Sequence, residues 1–310
     1  MNFFFEVLAG GLLAGVMYAL VALGFVLIYK ASGVFNFAQG AMVFFAALTF
    51  VSLLERDWNF WLALLVTLAV MVALGIATER VVLRPLVNQP PITLFMATIG
   101  LTFVLEGLSQ LIWGSQPHGL ELGIPDVPIE WLSQRVNINI SQFDLFAAFV
   151  AGLLVTVLAI FFHKTRVGRA LRAVADDHQA ALAVGIPLQH IWAIVWAVAG
   201  FVALVAGLLW GVRNGVQYAL TFVALKALPV LILGGFESIP GAIVGGLIIG
   251  ASEKLAEIYI PQALNGPLSS LFGVTVNLSG LEAWFAYVVA LLFLLVRPQG
   301  LFGEKIIDRV

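Results

Sequence analysis

The chain has 310 residues, of which 62% are hydrophobic and 10% are charged, and its mean hydropathy is +1.06. Soluble domains carry about 25% charged residues, so this composition excludes a soluble enzyme. A membrane-spanning helix needs roughly 20 apolar residues, so the chain is long enough for about eight or nine such helices. We therefore expect a single transmembrane domain, residues 1–310. The 15 Lys and Arg against 17 Asp and Glu provide no basic surface for nucleic acid. Cys is absent and the four His lack metal-ligand spacing, which excludes disulfides and cysteine nucleophiles and leaves no recognisable metal site.

The N-terminal part contains the first of two interrupted segments. Val7 to Tyr29 is an apolar run, and we interpret it as an uncleaved first span because Met1 to Glu6 contains no Lys or Arg. The next run, Val34 to Leu54, begins with the polar stretch Asn36 to Gly40. Since Gly and polar residues interrupt helices, we expect a break from Gly33 to Gly40.

Four ordinary spans follow, each apolar and bounded by charges or Pro. They are Trp58–Thr78, Ile92–Trp113, Phe143–His163 and Ile191–Gly211. The second interruption is the turn Phe236 to Gly241, which separates the runs Phe222–Gly235 and Ala242–Ile258; the last span is Ala283–Val296. The predicted fold is therefore an all-α polytopic membrane protein with about eight or nine transmembrane helices, two segments of which are interrupted.

Lys and Arg near the span ends predict the orientation, because they stay on the cytoplasmic side. Three of them are predicted outside: Arg56, Arg135 and Arg213. Ten are predicted inside: Lys30, Arg80, Arg84, Lys164, Arg166, Arg169, Arg172, Arg297, Lys305 and Arg309. This asymmetry places the loop 114–142 outside and both the loop 164–190 and the C-terminus in the cytoplasm. The N-terminus is then outside if all nine segments cross.

The inner loop contains a candidate amphipathic helix, which is rich in Ala and ends before Gly185 and Pro187. One interpretation is a surface helix that touches lipid headgroups. The other is a helix whose small residues allow the groove of another protein to approach closely. The residue pattern by itself leaves both interpretations open.

Four ordered motifs extend over nearly the whole chain. They are the loop positions Gly168-Arg169-Ala170, Arg172-Ala173, Ala175-Asp176, Ala180 and Gly185-Ile186; the stretch Asn36-Phe37-Ala38-Gln39-Gly40; the turn Gly234-Gly235-Phe236-Glu237-Ser238-Ile239-Pro240-Gly241-Ala242; and the segment Arg297-Pro298-Gln299-Gly300-Leu301-Phe302-Gly303. Together they resemble the branched-chain amino acid permeases (LivH type) of ATP-binding-cassette importers. The sequence departs from that family at Gln39, where His is usual, and at Pro187, where Asp or Asn is usual. Permeases for urea, short amides and ribose-type sugars share parts of the pattern, so the solute stays open.

The resemblance implies a transport subunit of the bacterial inner membrane. Its partners would be a second homologous permease, two cytoplasmic ATP-binding subunits and a periplasmic solute-binding protein. The ATPase-coupling residues would be Gly168, Arg169, Arg172, Asp176, Ala180 and Gly185. No Gly-x-x-x-x-Gly-Lys-[Ser/Thr] P-loop occurs in the sequence. We therefore expect no cofactor and no enzymatic activity in this chain, with ATP and Mg²⁺ bound by the partner subunits.

Interrupted helices are candidates for the solute pathway, because their ends expose backbone groups and their N-termini attract a carboxylate. The candidate residues are Gly33, Asn36, Gln39, Gly40, Glu106 and Ser238. Asn36, Gln39 and Ser238 have an alternative role as local caps that satisfy freed backbone groups.

Ionisable side chains inside apolar runs support a second hypothesis, an ion-coupled secondary carrier with Glu106 as its proton site. Glu106 costs at least about 2.5 kcal/mol at the bilayer centre, so we expect it to face protein or water. It could pair with Lys226, or Lys226 could reach an interface by snorkelling. Glu253 and Lys254 are expected near an interface. A carrier of this kind would leave the segment 168–186 without a role.

Overall fold

The computed structural model describes residues 2–86, 89–136, 138–176, 178–272, 278 and 280–303. Lys305 and Arg309, which contribute to the predicted orientation, lie outside these ranges. Within them the chain forms α-helices, together with a π-helical turn at Thr78–Leu83 and 3₁₀ turns at Arg84–Leu86 and Tyr218–Phe222. The α-helices are α1 (Asn2–Ser32), α2 (Gln39–Leu54), α3 (Phe60–Ala77), α4 (Pro91–Trp113), α5 (Glu130–Val136), α6 (Gln142–Lys164), α7 (Arg166–Asp176), α8 (His178–Ala183), α9 (Leu188–Asn214), α10 (Val223–Gly234), α11 (Ile239–Phe272) and α12 (Leu281–Val296).

The described residues contain six helical segments that are long and apolar enough to cross a membrane. They are Asn2–Ser32, Phe60–Leu86, Ile92–Trp113, Gln142–Lys164, Leu188–Asn214 and Ile239–Asn265. Shorter apolar helices cover Gln39–Leu54, Tyr218–Gly234 and Trp284–Val296. The predicted fold class, an all-α polytopic membrane protein, is confirmed.

Both predicted interruptions are present. Helix α1 ends at Ser32 and α2 begins at Gln39, with Gly33 in the left-handed region at φ +66°. Helix α10 ends at Gly234 and α11 begins at Ile239. The helix of the inner loop was predicted to end before Pro187, and α8 does end at Ala183.

Helix α11 is longer than the sequence suggested. The apolar run was expected to end at Ile258, yet the helix continues through Pro261 and Pro267 to Phe272. Hydropathy marks the part of a helix that suits lipid, whereas backbone hydrogen bonding decides where the helix itself ends. The prediction of this boundary was therefore wrong.

The chain divides into two compact units, and the first comprises Met1–Ala19, Gly123–Gly152 and Lys226–Val310. In this unit α11 packs against α12 and against the first part of α1. A Cβ added to Gly246 would lie 2.6 Å from the carbonyl oxygen of Gly15, and one added to Gly11 would lie 2.8 Å from that of Gly250. Small residues allow this backbone approach, which provides the packing energy of membrane helices.

The second unit comprises Leu20–Leu122 and Leu153–Leu225, and α9 is its central helix. Helix α9 packs against both α2 and α3, and α2 also packs against α4. The approach is again close, since a Cβ added to Gly200 would lie 2.6 Å from the carbonyl oxygen of Met71. The fully buried Trp196 fills the interior on the same helix. Displacement of α9 must therefore displace its neighbours as well.

The close contact between α1 and α11 gives a stability prediction. Gly15→Ala places a methyl group against the carbonyl of Gly246, so we expect a loss of about 1–3 kcal/mol of stability. Gly10→Ala is the matched control, because nothing lies within 4 Å of the added carbon and Ala favours the helix. Thermal unfolding of the detergent-purified protein measures both effects. Equal midpoints for the two variants would contradict this packing.

Candidate functional site

The break between α1 and α2 is held by buried side chains. Asn36 is fully buried, accepts a hydrogen bond from Ala38 N at 3.1 Å and donates one from Nδ2 to Gln39 Oε1 at 3.2 Å. These bonds correspond to the capping role that the sequence left as an alternative. A direct role of Asn36 and Gln39 toward a solute stays a prediction.

Thr98 of α4 fastens the same break from the opposite side. Its Oγ1 accepts a hydrogen bond from Phe37 N at 3.3 Å, and it lies 3.1 Å from the carbonyl oxygen of Phe35. The hydroxyl oxygen thus satisfies the Phe37 N–H that the missing helical turn leaves free, while its single proton is shared between the carbonyl oxygens of Phe35 and, at 2.9 Å, Phe95 of its own helix. Sequence reasoning missed Thr98, because one Thr in an apolar run usually bonds only to its own helix.

Gln39 and Gly40 occupy the tightest part of this break. Gln39 is fully buried, its amide lies against Gly24, and its Nε2 has no hydrogen-bond partner within the described part of the chain. A Cβ on Gly40 would overlap the carbonyl oxygen of Thr221, so only Gly fits here. An unpaired buried donor costs about 1–3 kcal/mol, so the Gln39 amide is an unsatisfied polar group within the described residues.

Polar residues form one face of α4. The four residues are Thr98, Thr102, Glu106 and Ser109. Helical geometry places them within an arc of about 80° and along roughly 16 Å of the axis. Ser109 is fully buried, and its hydroxyl has no partner among the described residues. This polar face of α4 gives the second unit a line of polar groups inside an apolar helix.

Glu106 lies on this face and is 9% exposed, so the expectation that it faces protein or water is confirmed. Its Oε2 accepts a hydrogen bond from the hydroxyl of Tyr218 at 3.2 Å. The pairing with Lys226 that the sequence suggested is replaced, because Lys226 donates to Glu253 instead. Tyr218 itself is 44% exposed, which leaves the edge of the pair accessible.

The first unit contains a second buried carboxylate, Glu253, which is 7% exposed. It accepts hydrogen bonds from the hydroxyl of Tyr18 at 3.1 Å and from Lys226 Nζ at 3.0 Å. Glu253 is thus joined to Lys226 of the preceding helix, α10, and to Tyr18 of α1, which lies 235 residues away in the sequence. Its expected position near an interface stays a prediction. Lys254, in contrast, forms an exposed pair with Glu257.

The second break, between α10 and α11, is closed by Gly and Ser. Ser238 Oγ accepts a hydrogen bond from Gly241 N at 3.0 Å and so caps the start of α11. A Cβ on Gly234 would overlap the carbonyl oxygen of Gly241. Ser238 therefore has a structural role here, and its role toward a solute stays a prediction.

Two of the sequence motifs meet at this second break. Leu301 N donates to the carbonyl oxygen of Leu233 at 2.8 Å, and Phe302 N donates to that of Gly234 at 3.1 Å. Gly300, at φ +80°, allows the chain to turn back after α12. The segment Arg297–Gly303 is thus a backbone cap for the end of α10.

The segment 164–190 is fastened to α6 by three of its predicted coupling residues. A Cβ on Gly168 would overlap the carbonyl oxygen of Phe162, so the turn between α6 and α7 requires Gly. Arg172 donates to the carbonyl oxygens of Phe162 at 2.7 Å and His163 at 3.3 Å. Arg169 reaches that of Lys164 at 3.4 Å. These contacts attach α7 to the last turn of α6.

The other three predicted coupling residues lie on the outside of the segment. Asp176, Ala180 and Gly185 are exposed, and Gly185 adopts φ +82°. Beside them, Leu182 is exposed and Val184 is 76% exposed. We name Asp176, Ala180, Leu182, Val184 and Gly185 the exposed rim. Its two large apolar members, Leu182 and Val184, form an exposed patch of the kind that contacts another protein or a membrane surface.

A cavity of about 350 Å³ lies between α8, the start of α9 and the π-helical turn after α3. Its polar lining includes Glu79, 1% exposed, and Arg84, which donates to both carboxylate oxygens of Glu79 at 3.1 and 2.9 Å. Glu79 and Arg84 are five residues apart, a spacing that suits a π-helical turn. The sequence did not predict this pair, because residues that pair along an α-helix are three or four apart. Among the described residues, no group of three or more His, Asp or Glu could hold a metal ion.

Apolar helices that are twice interrupted and that bury polar and charged side chains define a multi-pass membrane protein of the transport class. Residues 7–297 match the family described as "Branched-chain amino acid transport system / permease component", and the chain belongs to this family. The resemblance to branched-chain amino acid permeases, which the four motifs indicated, is confirmed.

The relatives include permeases for different solutes. The chain is similar to the high-affinity branched-chain amino acid permease LivH of Salmonella typhimurium, with 28% identity over 99% of this chain and 98% of the relative. BraD of Pseudomonas aeruginosa has the same identity and coverage. The fructose import permease FruF of Bifidobacterium longum is 25% identical over 91% of this chain and 75% of its own length.

The buried pair of Glu79 and Arg84 gives the second stability prediction. Arg84→Met leaves a buried carboxylate without its partner, so we expect a loss of about 3–5 kcal/mol. Lys254→Met breaks an exposed pair of the same kind and should cost at most about 1 kcal/mol. The double variant Glu79→Gln with Arg84→Met should recover most of the loss. Thermal unfolding measures all three, and an equal loss in both single variants would refute the burial argument.

Proposed function

We propose that the chain is the membrane subunit of an ATP-binding-cassette importer that admits branched-chain or other small apolar amino acids. Membership in the permease family supports the importer class, and relatives such as LivH and BraD support the solute. The single observation that carries the coupling mechanism is the exposed rim on a segment fastened to α6.

The proposed assembly contains this chain, a second homologous permease, two cytoplasmic ATP-binding subunits and a periplasmic solute-binding protein. ATP and Mg²⁺ bind to the ATP-binding subunits. The assembly lies in the bacterial inner membrane with the C-terminus and the segment 164–190 in the cytoplasm, in agreement with the distribution of Lys and Arg. The loop 114–142 then faces the solute-binding protein.

Transport follows from the way the segment 164–190 is connected. An ATP-binding subunit contacts the exposed rim, and closure of the ATPase dimer displaces α7 and α8. Arg172 transmits this displacement to α6, and the turn at Gly185 transmits it to α9. Because α9 packs against α2 and α3, the helices around the first break move with it. The pathway thereby alternates between outward and inward access.

A secondary carrier is the second candidate function, because Glu106 is a buried acid that could take up a proton. Permeases for urea and short amides form a further alternative within the importer class, and FruF indicates that related chains admit a sugar. The importer accounts for the exposed rim, for which a secondary carrier has no use.

Energy coupling distinguishes the two candidates. We expect uptake of radiolabelled leucine by cells that contain the complete system to continue when the proton gradient is collapsed. Uptake should stop when ATP is depleted while the gradient is kept, because the ATP-binding subunits provide the driving force. The reverse result would refute the importer and support the secondary carrier.

The exposed rim provides a test of coupling. Val184→Asp should lower solute-stimulated ATP hydrolysis by about tenfold or more, because a charge in an apolar interface loses the contact. Val184→Ala is the control and should keep most of the activity. The side chain is largely exposed, so neither change should disturb folding or membrane insertion. Normal stimulation in Val184→Asp would contradict the assignment of the rim.

A further inference from the structure

The described residues contain two pairs in which a tyrosine hydroxyl donates to a glutamate within the apolar segments. Tyr18 donates to Glu253 at 3.1 Å in the first unit, and Tyr218 donates to Glu106 at 3.2 Å in the second. Both carboxylates are less than one-tenth exposed. The two pairs share the same chemistry and can be compared directly.

The pairs differ in charge compensation. Glu253 has an internal cation, because Lys226 Nζ lies 3.0 Å from its Oε1. Within the described part of the chain, Glu106 forms no ion pair, and its only hydrogen-bond donor is the neutral Tyr218. An ionised carboxylate inside the membrane is costly without a partner cation. Glu106 therefore lacks the component that completes the pair in the first unit.

The two tyrosines also differ in solvent exposure, and the more exposed one belongs to the pair without an internal cation. Tyr18 is buried, whereas Tyr218 is 44% exposed and covers Glu106 only from one side. Its ring contacts Phe44 and Phe222 edge to face, at 6.4 and 5.8 Å between ring centroids. An aromatic surround accepts both an apolar side chain and a cation, since ring faces attract positive charge. A solute could thus reach the carboxylate by displacing one hydroxyl.

We propose that Glu106 receives the ammonium group of the transported amino acid, and that Tyr218 occupies its place when the solute is absent. This inference rests on the proposed function as an amino acid importer. The ammonium group provides the missing cation, and the aromatic rings of Tyr218, Phe44 and Phe222 contact the apolar side chain. A sugar offers no cation for Glu106, so the site discriminates against sugars.

The test uses the complete importer in proteoliposomes, with the solute-binding protein saturated with leucine. Glu106→Gln keeps the shape and an acceptor for Tyr218 but removes the charge. We expect leucine uptake to fall by about tenfold or more, the effect of losing one charge-assisted hydrogen bond. The control is the double variant Glu253→Gln with Lys226→Gln, which removes the matched pair and should keep uptake.

Binding of radiolabelled leucine to the same complex in nanodiscs, without the solute-binding protein, isolates recognition of the ammonium group. The competitors are 3-methylbutylamine, which has no carboxylate, and 4-methylpentanoate, which has no ammonium group. The amine should compete in the wild type and lose its effect in Glu106→Gln, a change that a merely structural role would not produce. Equal competition by the amine in both proteins overturns the inference. If the wild-type importer moves no amino acid, the proposed function itself fails; normal uptake by Glu106→Gln overturns only the role of Glu106.

Discussion

The inability of hydrocarbon to hydrogen-bond is the constraint on which the rest of this structure depends. A backbone group left unsatisfied in lipid costs several kcal/mol, so a helix can be interrupted only where protein groups replace the missing bonds. Asn36 and Thr98 provide these bonds at the first break. Ser238 and the backbone of Leu301 provide them at the second. The motifs that surround each break therefore have a structural role, which is to satisfy the backbone groups of the interrupted helices.

The same constraint applies to charged side chains, with larger energies. Glu79 and Glu253 are each compensated by a cation of this chain, Arg84 and Lys226 respectively. Such pairs fix how neighbouring elements meet, because removing one partner strands the other. Glu106, in contrast, is a buried carboxylate that has no ion-pair partner among the described residues. That difference is the ground on which we propose Glu106, and not Glu79 or Glu253, as the carboxylate that receives a solute.

The force transmission that we propose depends on the Gly contacts between helices. Gly200 and Gly75 bring the backbones of α9 and α3 together, which leaves no flexible side-chain layer between them. The segment 164–190 leads into α9, one of these packed helices, and Arg172 bonds it to the end of α6. In the proposed mechanism a displacement at the exposed rim is therefore shared by α9 and the helices packed against it, α2 and α3. Its amplitude depends on rigid packing rather than on local bending.

Local sequence patterns were enough to predict the helical membrane class, the positions of both breaks and the end of α8 before Pro187. These features follow from local properties: the length of apolar runs, the backbone restriction of Pro and the freedom of Gly. The sequence also identified Gly168 and Arg172, although not that they fasten α7 to α6. The partners of Glu106, Glu253 and Glu79 were decided only by the tertiary structure. Each pair depends on the register between packed elements or on a π-helical turn, and a hydropathy pattern contains no information about either. A charged residue inside an apolar run can be recognised in the sequence, but the residue that compensates its charge is fixed only by the tertiary structure.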